Sequence, residues 1–322
     1  GAALVAILLY VTNFAWIAVN NVIAASACAR LFGGPASERF WAVALGLAAT
    51  AIVAGGPRAV ALADRYAVPL LAVVGILLTI ACLRASSAVL AAPMTAPIPW
   101  SRGLDVVIGY QVSWILMFAD YSRYTASPGR GALAVFLGLA LTSLWFMPLG
   151  FAAARVAGSD DPGAMLSAVH LGAAGAVLLA LATLTTNFVN IYLSALAWKS
   201  LLPKAGSALT IWSIGVIGAA LSMSRIWLDR YADFMLLLGA LLVPVGGVLL
   251  ARFFLTRGSF SIPDLYDSNG PFARTGGFSI PGLLAWTAGA AVYYLARPIG
   301  STLPSLATAI AVFWIADRWL RG

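Results

Sequence analysis

The chain has 322 residues, of which 62% are hydrophobic and only 9% charged. Soluble domains carry about 25% charged residues, so a water-soluble fold is excluded. The formal net charge of +8 comes from Lys and Arg scattered one or two to a loop; they form no basic face, which argues against a nucleic-acid partner.

Ten apolar stretches follow one another: 3–29, 40–56, 67–83, 103–119, 131–154, 170–199, 207–224, 232–254, 280–296 and 302–319. Each is near the ~20 residues that cross a ~30 Å hydrocarbon core as a helix. In lipid every backbone N–H and C=O needs an internal partner, so these stretches predict helices. A polar side chain inside one of them is costly and calls for a reason.

The first span carries Trp16, Asn20 and Asn21. Residues 16 and 20 are one helical turn apart and share a face. An indole and an amide so placed suit a flat ring, one by stacking and the other by hydrogen-bonding its edge. Helix–helix glue from Asn and an interfacial Trp is the other reading, although Trp16 sits mid-span. Cys28 and Cys82, in apolar runs, read as small buried hydrophobes. Residues 84–102 read as a loop rich in Ala, Ser and Pro.

The fourth span holds Gly109, Gln111, Ser113 and Trp114 together. A Gly flanked by polar groups predicts local unwinding that shows backbone to a ligand; a plain helix with one Gln is the alternative. Asp120 and Arg123 follow at its end, either as a gating or proton-linked pair or as a simple helix-end ion pair.

In the sixth span Thr183, Asn187, Asn190 and Ser194 step by four, three and four into one stripe, and Thr186 shares a face with Asn190. A lone Ser or Thr can bond its own helix. Two asparagines among hydroxyls are expensive unless they face a bundle interior or a wet cavity. The segment 256–279 is the one long polar connection and belongs in water. With residue 1 in the cytoplasm, 11 of the 19 Lys and Arg fall inside, so both ends are placed in the cytoplasm by the positive-inside rule.

Bond-making chemistry is poorly provided for. His170 is the single histidine, Glu38 the single glutamate, and Asp160 and Asp161 lie in a loop. No metal-ligand spacing or phosphate loop is present, and no buried carboxylate is expected among the spans. Polar but uncharged intramembrane groups favour binding and release over catalysis, so neither an enzyme nor a cofactor is expected.

TNFAW at 12–16, ADYSRY at 119–124, TTNFVNIYLSA at 185–195 and RGSFSIPDLYD at 257–267 come in an order that resembles the nucleobase–cation symporter family of purine, cytosine, allantoin and hydantoin permeases. The resemblance implies an all-α integral membrane fold with a five-plus-five inverted repeat and two extra C-terminal helices. The opening span then corresponds to the family's third helix and residues 303–319 to its twelfth, with no counterpart here to the first two. A single transmembrane domain over 1–322 is implied: 3–102 the remainder of the first repeat, 103–255 the second, 256–279 a cytoplasmic loop and 280–322 the last two helices.

The same resemblance makes Trp16 the aromatic platform, with Asn20, Gln111, Ser113, Trp114, Asn187 and Asn190 on the substrate side. Thr185 and Thr186 fall where hydroxyls help coordinate sodium, although Leu184 before them departs from the pattern. The implied activity is import of a small planar nitrogen heterocycle by symport with Na⁺ or H⁺ in the cell membrane. Asp120 is the one carboxylate with a claim on a proton. A non-transporting membrane sensor or structural subunit is the rival reading, and a membrane-embedded enzyme a third.

Overall fold

A computed structural model describes residues 2–33, 35–91, 98–115, 118, 125–255, 267 and 277–320. The elements are α1 (Ala2–Phe32), α2 (Pro35–Ala54), α3 (Pro57–Arg84), α4 (Ser86–Ala91), α5 (Trp100–Val112), α6 (Pro128–Ala157), α7 (Pro162–Ala168), α8 (Gly172–Leu201), α9 (Ser207–Leu221), α10 (Ile226–Asp229), α11 (Tyr231–Leu250), a π-helical turn (Ala251–Leu255), α12 (Ile280–Leu295) and α13 (Thr302–Trp319). No strand occurs among the described residues. Every predicted span is met by a helix. Among the described residues six of these, α1, α2, α3, α6, α8 and α11 with its π turn, are long and apolar enough to cross a membrane; α9 and α12 are shorter apolar helices.

Local chemistry sets several ends. Pro57 and Pro128 open α3 and α6, where their missing N–H costs nothing. Gly158 closes α6 in the left-handed region at φ 60°. Asp161 caps α7 by accepting from the Ala164 N–H at 2.9 Å. Three short helices escaped the sequence reading: α4, inside the stretch expected to be loop, and α7 and α10. Most of 256–279 lies outside the described residues.

The chain divides into two compact units. One comprises residues 6–95 and 120–229, the other 1–5, 96–119 and 230–322. In the first, Ile17 of α1, Ala49 and Val53 of α2, Phe188, Ile191 and Ala195 of α8 and Ile214 of α9 form one buried cluster. Small residues let these helices close up. A Cβ at Gly218 would strike Ile17, and one at Gly215 would collide with Thr50. By contrast, none of the most apolar stretch of α6 is buried within the protein. Phe136, Leu141 and Leu144 stand exposed along it, as expected of a helix solvated by acyl chains.

One end of this unit is tied by charges. Arg225, between α9 and α10, places Nη1 2.7 Å and 2.8 Å from the two Glu38 oxygens, and Nη2 3.0 Å from Asp161 Oδ2. Arg30, near the end of α1, reaches Asp161 Oδ1 at 3.0 Å. Burial pushes the Asp161 carboxyl up, but the Ala164 N–H, Arg225 and Arg30 together hold it below the usual carboxylate range.

In the second unit α11 packs against α5, α12 and α13. Ala240, Val243 and Tyr293 form its core, with Val112 and Leu306 against them. Gly109 of α5 lies in regular helix and is buried; a Cβ there would run into the Met235 carbonyl. The unwinding expected at Gly109 therefore does not occur. This glycine serves close approach to α11, and α5 ends later, in a turn over Ser113–Ile115.

The expectation of no buried carboxylate among the spans is also corrected. Asp105 is 4% exposed. It accepts from the Ser301 N–H at 2.7 Å, the Thr302 N–H at 2.9 Å and the Thr302 hydroxyl at 2.7 Å. It satisfies donors that the start of α13 would otherwise leave orphaned in an apolar surrounding.

Candidate functional site

The first unit brings together the amides the sequence singled out. α1 and α8 run antiparallel: Tyr10 stacks on Trp198 with centroids 5.1 Å apart, while Ile17, Asn20 and Asn21 meet Asn187. The Asn residues stand near the midpoints of both helices, where each polar atom has least access to water.

At the centre is Asn187, 1% exposed. Its Oδ1 accepts from Asn20 Nδ2 at 3.3 Å and from Asn190 Nδ2 at 3.5 Å. Its Nδ2 donates to Asn21 Oδ1 at 2.7 Å and to the Ile17 carbonyl at 3.4 Å. An amide offers two lone pairs and two hydrogens, so the capacity of Asn187 is fully used. Asn21 in turn donates to Ser222 Oγ at 3.5 Å. It has room because residue 46 is glycine, where a Cβ would sit 2.6 Å from Asn21 Nδ2.

Asn20 and Asn190 differ from Asn187. Each spends Nδ2 on Asn187 Oδ1, and neither accepts a hydrogen bond at Oδ1 among the described residues. Each keeps an acceptor and a second N–H hydrogen, the two functions needed to read the edge of a heterocycle. Trp16, buried at 9% exposure, lies one turn before Asn20 on the same face.

Thr185 and Thr186 both donate to the Ala182 carbonyl, at 2.8 Å and 3.0 Å. That bond engages the hydrogen and leaves the oxygen lone pairs, the part a cation uses. Gln111, Ser113 and Trp114 belong to the other unit, at the end of α5. Ser113 is buried and donates to the Tyr110 carbonyl at 2.6 Å; Gln111 and Trp114 are half-buried. Asp120 and Arg123 lie outside the described residues.

Asn13 and Asp105 are among the buried polar residues that sequence reasoning passed over. Asn13 repeats the Asn20 position two turns earlier on α1, a spacing that was available as a signal. The partners of Asp105 lie at 301–302, too far along the chain for any local pattern to reveal.

A family profile described as permease for cytosine/purines, uracil, thiamine, allantoin matches residues 1–315. The cytosine permease of Escherichia coli K12 is 26% identical over 216 residues, covering 66% of this chain and 51% of the permease. The allantoin permease of Bacillus subtilis is 26% identical over 239 residues, covering 67% of this chain and 46% of the permease. The chain thus spans about half the length of these curated relatives. Among solved structures, Mhp1, a nucleobase-cation-symport-1 family transporter in a closed conformation with bromovinylhydantoin bound, superimposes with a TM-score of 0.79 at 19% identity, covering 98% of this chain and 75% of that one. The inward-facing conformation of Mhp1 gives 0.81 at 21% identity, covering 98% and 73%. At these identities the structural likeness speaks for the fold. The profile match over nearly the whole chain decides the rest: this multi-pass membrane protein belongs to the family of permeases for cytosine/purines, uracil, thiamine and allantoin.

Proposed function

We propose that this protein takes part in secondary active import of a small planar nitrogen heterocycle, coupled to Na⁺ or H⁺ by alternating access. The observation that carries the reading is the pairing of Asn20 and Asn190 on one saturated amide, Asn187, with Trp16 on the Asn20 face. The indole would stack on the ring, gaining apolar burial and π contact. The remaining Asn20 and Asn190 groups would meet its N–H and C=O edge. Each buried polar group left unpaired costs ~1–3 kcal/mol, so the amide pattern would set selectivity.

Cytosine and allantoin, for which the relatives are named, and the hydantoin held by Mhp1 share the ring-amide edge that this arrangement suits. Asn187 then acts as the residue that positions the two readers. Gln111, Ser113 and Trp114 keep their proposed part in substrate binding. Thr185 and Thr186 are the proposed sodium ligands and Asp120 the proton-side alternative, with both chain ends proposed as cytoplasmic. Coupling requires that the cation and substrate each bind better in the presence of the other.

Uptake of labelled cytosine, uracil, hydantoin, allantoin and purines by cells expressing the full reading frame tests the proposal. Accumulation of one of them that follows a sodium or proton gradient is the expected result. Binding without accumulation would favour the sensor reading, and neither binding nor accumulation would refute both.

A further inference from the structure

We propose that Asn13 is the binding site of an internal water held between α1 and α8, a site separate from the one that reads the ring. Asn13 is 0% exposed, and neither its Oδ1 nor its Nδ2 has a hydrogen-bond partner among the described residues. A buried amide left in this condition is costly, and native interiors resolve such cases with a protein or water partner.

The register of the helix pair supplies the missing half of the site. Tyr10 lies against Trp198, and Asn20 and Asn21 lie against Asn187. Moving along α1 from 20 to 10 thus moves along α8 from 187 to 198, and Asn13 comes level with Ser194 and Ala195. Ser194 is also 0% exposed. Its hydroxyl donates to the Asn190 carbonyl at 2.7 Å, which commits its hydrogen and leaves its lone pairs.

The occupant must give to Asn13 Oδ1 and receive from Asn13 Nδ2. A cation serves only the oxygen and is repelled by the amide hydrogens; an apolar group serves neither. Water does both, and its second hydrogen can go to Ser194 Oγ. That makes the roughly three bonds typical of a buried water. The site stands two turns, about 10 Å, from Asn20 along α1. A polar seam then runs from Asn21 through Asn187 and Asn190 to Ser194, the water and Asn13, along the interface of the pair.

A density map of the full protein that resolves ordered water tests this directly. It should show a water within hydrogen-bond distance of the Asn13 amide and of Ser194 Oγ. Radiolytic hydroxyl labelling gives a second readout at Tyr10, one turn away: label seen in the wild type should persist in Asn13→Ser and be lost in Asn13→Leu. If Asn13→Leu does not fold, the wild-type map and Asn13→Ser decide. Density in which the Asn13 amide bonds only to protein atoms, or equal labelling of wild type and Asn13→Leu, would overturn the proposal.

Discussion

At Asn187 both lone pairs receive amides and both hydrogens are given away, while Asn20 and Asn190 each retain bonding capacity. This asymmetry separates a positioning residue from two readers, and it predicts different mutant behaviour. Asn187→Leu strands the Nδ2 groups of Asn20 and Asn190 and the Oδ1 of Asn21, each at ~1–3 kcal/mol when buried. Its melting temperature and its heterocycle binding should fall together. Binding measured on purified Asn187→Leu, alongside its thermal unfolding, checks this; retained affinity would contradict the positioning role. The Asn residues were legible in the sequence because an amide in lipid demands an explanation. How they divide the labour was not legible, since that depends on which atom of each amide meets which neighbour. Asp105 was missed for a related reason, its donors arriving from a helix almost two hundred positions later.

Among the helices, close approach accounts for what the polar pattern around α5 does not. Gly109 looked like a site of unwinding, yet it is the point at which α5 touches the α11 backbone. Gly109→Ala should therefore destabilise by about 1–3 kcal/mol, as overpacked contacts do; an unchanged unfolding midpoint would refute the packing role. Asp105→Ala removes acceptors from the start of α13, where loss of a cap costs ~0.5–2 kcal/mol. A thermal shift larger than that of an exposed control such as Asp233→Ala is expected.

The clasp of Arg225, Glu38, Asp161 and Arg30 carries a pH prediction. The Asp161 carboxyl is held below its ordinary value, so its stabilising contribution is present above ~3.9, the unfolded value. It is lost as pH falls through the lower folded value. Melting curves taken downward from about pH 5 should show wild type losing more stability than Arg225→Gln. Parallel losses would mean that the clasp contributes nothing, as many exposed ion pairs do.

For the whole molecule, hydropathy and length marked where the six long apolar helices of the described residues lie, because lipid allows a long apolar segment little besides a helix. Span ends were less legible. Capping at Asp161 and the turn after Val112 reflect single side chains and tertiary contacts, and the short helices α4, α7 and α10 leave no periodic trace. The family resemblance carried by the TTNFVN and TNFAW segments agrees with the profile match over residues 1–315; TTNFVN supplies Asn187 and Asn190 to the amide cluster, and TNFAW precedes its Asn20 on α1. On the proposed function, this cluster recognises a ring-amide edge. Equilibrium titration of the purified protein with labelled cytosine, uracil, hydantoin, allantoin and purines, repeated on Asn190→Ala, tests it most directly. Binding of at least one of these by wild type, weakened about tenfold or more in the variant at an unchanged melting temperature, is the predicted result, a tenfold loss being 1.4 kcal/mol. Equal affinity in the two proteins would contradict the claim.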